Sequence, residues 1–178
     1  MVEFRELPAL PAYGPLPLQF SSTGQGMHRE GFVVEFLPET KESWVANFQP
    51  GLSGYSSAMS HPNGRHVLVI SGGQAYVVDP CARKVEAMFG GAIDFVVSIQ
   101  EIGALVLGNG LWFEIVRANG CRAATRRISW DGMTQLKVSG SCLRGEAYDP
   151  LSESSVSFEV NLLDATHTGG SYPRELAS

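Results

Sequence analysis

Most of the patterns that signal chemistry in a small protein are missing from this sequence. Cys81, Cys121 and Cys142 are its only cysteines, odd in number and without a CxxC pair. Neither a disulfide framework nor a zinc knuckle is expected; the thiols should be buried or half-buried and structural, in a reducing compartment. His28, His61, His66 and His167 never stand in an HxH or HExxH spacing, so no metal site is expected. No serine occupies a GxSxG elbow, because GLSGY at 51–55 has its glycines at the wrong spacing. SGG at 71–73 and TGG at 168–170 precede no helical pattern that would cradle a phosphate and are expected to be turns. No stretch approaches the roughly 18 unbroken apolar residues of a membrane helix. Pro8, Pro11, Pro15 and Pro17 interrupt the N-terminal apolar residues, so a signal-peptide core is not expected there. Positive charge is scarce too: 13 Lys and Arg stand against 18 Asp and Glu, and Arg122, Arg126 and Arg127 are the one basic cluster. Phosphate neutralisation needs more than that, so direct nucleic-acid binding is not expected. An acidic, cytoplasmic chain without cofactor suits a basic protein partner.

What the sequence has in quantity is strand text. With 178 residues, 44% apolar and 17% charged, the chain is long enough to bury a core without staples. Residues 1–31, with four prolines followed by SSTGQGMHREG, are expected to form an extended arm, and residues 32–178 a single domain. From Phe32 onward, short runs rich in Val, Ile, Phe, Tyr and Trp alternate with Gly, Asn, Asp and Pro. About twelve strands are expected between FVVEF at 32–36 and SVSFEV at 155–160, joined by hairpin turns such as SGGQ, GNG and WDGM. Asp79, Asp131 and Asp149 are each expected to cap a turn with the side chain. Val67, Leu105 and Leu143 recur 38 residues apart, each opening a run that leads to a glycine turn. A competing register sets Tyr76, Trp112 and Tyr148 at 36. The longer period matches whole apolar strands and is preferred. The expected fold is all-β: antiparallel meander repeats of about 38 residues, arranged as a few-bladed propeller or as a bent sandwich.

The last third, RISWDGMTQLKVSGSCLRGEAYDP followed by SFEVNLLDATHTGGSYP, resembles the C-terminal part of a group of small bacterial β-rich proteins, mostly without an assigned function. Some proteins of this kind resemble the immunity proteins carried beside secreted antibacterial toxins. The resemblance spans residues 60–173 and rests on the words WDG, AYDP and GGSYP; it brings no catalytic residues with it. It implies a non-catalytic protein that binds and neutralises a cognate toxin, with a nuclease as a natural target because such enzymes carry basic surfaces. Aromatic residues of a β protein belong to the core more often than to a binding surface, and on that reading Trp44, Tyr55, Trp112 and Tyr148 are candidate anchors where they are exposed. Glu39, Glu42, Glu101, Glu114, Glu146 and Asp149 are the acidic rim. The alternatives are a structural or regulatory interaction module, or a small hydrolase using Glu146 and Asp149 of GEAYDP. Strand alternation opposes the hydrolase, since those two carboxylates start on opposite faces.

Overall fold

The computed structural model describes residues 3–24 and 26–173. It is all-β: sixteen strands and one 3-10 turn, Gln100–Ile102, form four sheets of four strands each, none closed. The chain divides at Asp94/Phe95 into two compact units, whereas the sequence suggested an arm over 1–31 and one domain over 32–178.

The first unit holds two sheets. Sheet I has the order β1-β3-β4-β2, built from Glu3–Leu7 (β1), Leu18–Phe20 (β2), Phe32–Leu37 (β3) and Trp44–Phe48 (β4). The hairpin β3–β4 is its centre, and the two ends of the arm flank it. β1 pairs antiparallel with β3, Arg5 opposite Glu35; β2 pairs parallel with β4, Phe20 opposite Phe48. The arm was expected to be extended, and no strand was expected within it. Its ends become strands because β3 and β4 offer two free rows of backbone hydrogen-bonding groups that would otherwise stay unpaired. Sheet II is the meander β5 (Ser57–Ser60), β6 (Val67–Ser71), β7 (Gln74–Asp79) and β8 (Lys84–Gly90). Ser71 pairs with Gln74 across Gly72 and Gly73, whose φ values of 51° and 84° are those of a type I′ hairpin turn.

Alternation sends Val34, Phe36, Trp44, Ala46 and Phe48 of sheet I into one core with Val67, Val69, Tyr76 and Val78 of sheet II. Phe36 stacks on Trp44 at 4.5 Å, and Phe48 meets Tyr76 at 5.1 Å. The other face of sheet I meets the end of the arm at Asn47. Asn47, fully buried there, accepts from the Gly31 amide (2.8 Å) and donates to Gln19 Oε1 (2.8 Å). Gly31 is required at this contact, since a Cβ would lie 2.1 Å from the Phe48 carbonyl oxygen.

The second unit contains two more meanders. Sheet III is β9 (Phe95–Ile99), β10 (Ala104–Gly108), β11 (Phe113–Arg117) and β12 (Arg122–Ala124); sheet IV is β13 (Met133–Ser139), β14 (Cys142–Asp149), β15 (Ser154–Asn161) and β16 (Thr166–Gly169). Val106, Phe113 and Ile115 share a core with Ile128, Leu143, Ala147, Phe158 and Val160. Val67, Leu105 and Leu143 each lie on the second strand of their meander. Tyr76 lies on a third strand, Trp112 just before one, and Tyr148 on a second strand.

All twelve expected strands are present, CRAATRRI shortened to Arg122–Ala124. Four strands were not foreseen: β1, β2, Ser57–Ser60 and Thr166–Gly169. All four are edge strands of three to five residues, and none carries apolar alternation over the four or more residues by which strands are recognised.

Candidate interaction surfaces

GEAYDP forms the end of β14, and the burial of that strand alternates. Leu143, Gly145 and Ala147 are buried, while Arg144 and Tyr148 are exposed and Glu146 half-exposed. Glu146 and Tyr148 therefore lie on the outer face. Gly145 lies under the core: a Cβ there would stand 2.7 Å from the Phe158 ring and 2.8 Å from Leu136 Cδ2. Glu146 accepts from Gln135 Nε2 at 3.1 Å. Asp149 is engaged elsewhere, with Oδ1 taking the Leu151 amide (2.9 Å) and Oδ2 the Ser152 hydroxyl (2.7 Å). The Ser152 and Leu151 bonds hold its carboxyl below the ordinary value. Asp79 caps its turn in the same way, through the Cys81 and Ala82 amides at 2.9 Å each. Asp131 does not follow the expectation. In the WDG turn Ser129 Oγ accepts from the Asp131 amide (3.2 Å) and donates to the Gly132 carbonyl (2.6 Å).

The three words WDG, AYDP and GGSYP converge in the second unit. Ser171 Oγ donates to the Tyr148 carbonyl (2.6 Å) and accepts from the Trp130 amide (3.2 Å). The Ser171 and Tyr172 amides reach the Ile128 carbonyl at 2.9 and 3.0 Å. Tyr172 packs on Trp130 at 4.5 Å, and the Arg127 guanidinium stands 4.5 Å from the Tyr172 ring. Arg127 Nε and Nη2 donate to the Ser129 and Trp130 carbonyls, both at 2.9 Å. The words thus form one clasp that fastens residues 170–173 to the start of sheet IV.

The remaining sequence candidates scatter. Trp44 is 7% exposed, and its Nε1 donates to the Pro80 carbonyl at 2.9 Å. It is a core residue, not an anchor: alternation on β4 sends it inward with Ala46 and Phe48. Glu39 and Glu42 are exposed on the β3–β4 turn, and Tyr55 is half-buried. Glu101 is exposed in the 3-10 turn, and Trp112 is 38% exposed in the β10–β11 turn. Glu114 is half-buried and bound to Arg122 Nη1 at 2.7 Å; burial pushes its carboxyl up, against the pull of Arg122. The thiols also depart from expectation, since Cys81 and Cys121 are exposed in turns and only Cys142 is half-buried. Burial and Glu159 push the Cys142 thiol up, away from nucleophilic character.

One polar trio crosses sheet II. A bulge between Val77 and Val78 turns Glu86 toward His66 and Asp79, and the nearest donor atoms of the three lie within 4.8 Å of one another. The local bonding disfavours a metal there. Asn63 Oδ1 is taken by the Arg65 and His66 amides (3.0 Å each), so its Nδ2 is the group facing His66 Nδ1 at 3.1 Å. Nδ1 must then accept, and in the neutral ring the proton sits on Nε2, the nitrogen 3.9 Å from Asp79 Oδ2. A ligating imidazole needs the opposite tautomer.

The most exposed apolar residues of the first unit lie on the middle of the arm. Between β1 on one edge of sheet I and β2 on the other, residues 8–17 cross the sheet on the side of Glu35 and Val45. A cleft of about 590 Å³ remains beneath them, lined by Leu7, Pro11, Leu16 and Trp44 with Glu42 and Arg83 among its polar groups. Tyr13 and Leu16 on this arch are 94% and 93% exposed. A usable signal was present in the sequence: Leu7, Leu10, Tyr13 and Leu16 recur every third residue, the period of an extended proline-rich helix. Gly14, at φ 107°, interrupts that period between Tyr13 and Leu16. No family model matches the chain, and neither a curated protein nor a solved structure matches it.

Proposed function

We propose that the protein is a non-catalytic, cytoplasmic binding protein, an immunity protein that holds a cognate basic toxin, a nuclease being a natural target. The observation that carries this reading is the concentration of surface carboxylate. Six Asp or Glu and three Lys or Arg fall within the first fifty residues, which accounts for three of the five net negative charges. Arg5 is already bonded to Glu35, and Lys41 Nζ is bound to the Cys81 carbonyl at 2.7 Å. A surface of this sign attracts a basic enzyme at long range and raises the association rate more than the affinity. In the same reading the three meanders are copies of one unit of about 38 residues laid out as blades, supported by the shared second-strand position of Val67, Leu105 and Leu143.

The test is co-expression with the product of the neighbouring gene. Restored growth, and a complex that co-elutes on gel filtration and dissociates faster as salt rises, are the expected results. Unprotected cells and separate elution would sink the immunity reading.

A further inference from the structure

We propose that the arch at residues 8–17 is a preformed docking loop, gripped through Tyr13 and Leu16 by a protein partner that offers an apolar pocket rimmed with lysine or arginine. The inference rests on the binding-protein reading above and adds to it the surface and the anchors.

Three observations lead here. First, Tyr13 and Leu16 are almost wholly exposed although both sheets of their unit bury apolar side chains efficiently. Apolar groups kept out of a core that lies next to them are available to another molecule. Second, the arch is held at both ends. β1 and β2 fix it to opposite edges of one sheet, the Leu10 amide donates to Glu30 Oε2 at 3.2 Å, and Pro8, Pro11, Pro15 and Pro17 restrict the backbone between. A loop ordered in advance loses little entropy on binding, which is what lets a few anchors supply affinity. Third, the charge around the arch has one excess sign. Glu30 is bonded to the arch itself, and Glu42 lines the cleft beneath it with Arg83 beside it. Neither Glu30 nor Glu42 is in an ion pair among the described residues, and the Arg5–Glu35 pair cancels itself, so two carboxylates stand against the one guanidinium of Arg83. Carboxylates around exposed apolar anchors are complementary to an apolar pocket with a basic rim.

The decisive comparison uses the full chain, its Tyr13→Ala/Leu16→Ser double variant, and a Leu151→Ser control on the equally accessible turn of sheet IV, where Leu151 is 84% exposed. Each is titrated with the purified product of the neighbouring gene. The expected result is at least about 30-fold weaker binding for the double variant, unchanged binding for the control, and unaltered melting for both. Equal binding by wild type and double variant overturns the docking loop and leaves the immunity reading standing. If the neighbouring product does not bind the wild type, the immunity reading fails, and a photo-crosslinking residue placed at position 16 or 151 in the native host decides the docking loop. An adduct at 16 and not at 151, to a basic protein whose purified form binds the double variant at least about 30-fold less well, supports it. No adduct at 16, or one to a protein that binds the variant equally, overturns it.

Discussion

Sheet I and sheet IV have the same number of strands and are assembled in opposite ways. In sheet IV the strands follow one another, β13 to β16, and each pairs with its neighbour in sequence, all antiparallel. In sheet I a hairpin, β3–β4, is completed by two short strands separated from it by loops, and one of them, β2, runs parallel. The meander closes its contacts locally at small entropic cost; the arm must close a loop before it gains anything. The difference separates roles within the chain. A meander leaves no slack between its strands, whereas the arm must span from one edge of sheet I to the other, and that span is the exposed arch.

Removing residues 1–20 should break the comparison most severely. The truncation removes both pairing partners of the β3–β4 hairpin and the Phe4 and Phe20 side chains packed on its core, so β3 and β4 should lose amide protection and the protein should aggregate through the bared edges, with sheet IV keeping its protection. Hydrogen exchange read strand by strand checks this; full protection of β3 and β4 after truncation would show that the arm is dispensable. Asn47→Ala is a milder version, since the Gly31 amide loses its acceptor in a buried site. A cost of about 1–3 kcal/mol is expected from chemical denaturation.

Acid should weaken the first unit selectively in its first step. Burial holds the His61 imidazole below its ordinary value of 6.5, with Asn63 opposing and His66 reinforcing the shift. The unfolded chain therefore binds a proton at a pH where the folded chain does not, and stability should fall as pH drops from 6.5 toward the folded value. His61→Gln should flatten that step in a pH series of melting temperatures. A second loss follows at lower pH. Burial pushes the Asp79 carboxyl up, but the Ala82 and Cys81 amides, with His66 and Arg65, hold it below the ordinary range. Stability from that group is present above the unfolded value and is lost as pH falls through the folded one. The smallest effect is expected at Arg144, whose Nε meets Glu159 at 2.7 Å on the open face of sheet IV. Arg144→Gln should leave the melting temperature within error, because an exposed pair gains little over hydration.

The fold was largely legible because β14 and β15 carry apolar residues at strand period, β6 and β10 are short unbroken apolar runs, and turns such as SGGQ carry residues that accept positive φ. The edge strands were not legible: SAMS and THTG have no apolar alternation, and strand character there comes from the neighbour's free backbone groups. Among the candidate residues, Glu146 and Tyr148 could be placed on one face from alternation alone. Alternation puts Trp44 on one face with Ala46 and Phe48, but that this face is the covered one depends on sheet II packing against it. The exposure of Tyr13 and Leu16 was not legible, since it depends on where β1 and β2 attach.

The sequence by itself determined the class of structure, the meanders and the turn chemistry at Asp79 and Asp149, because these depend on periodicity and on side chains reaching backbone two or three residues away. Only the tertiary structure decided that the arm supplies both edges of sheet I, that WDG, AYDP and GGSYP meet in one clasp, and that Tyr13 and Leu16 stay outside. Those are contacts between segments distant in sequence, and their energies come from pairing and burial that no local pattern encodes.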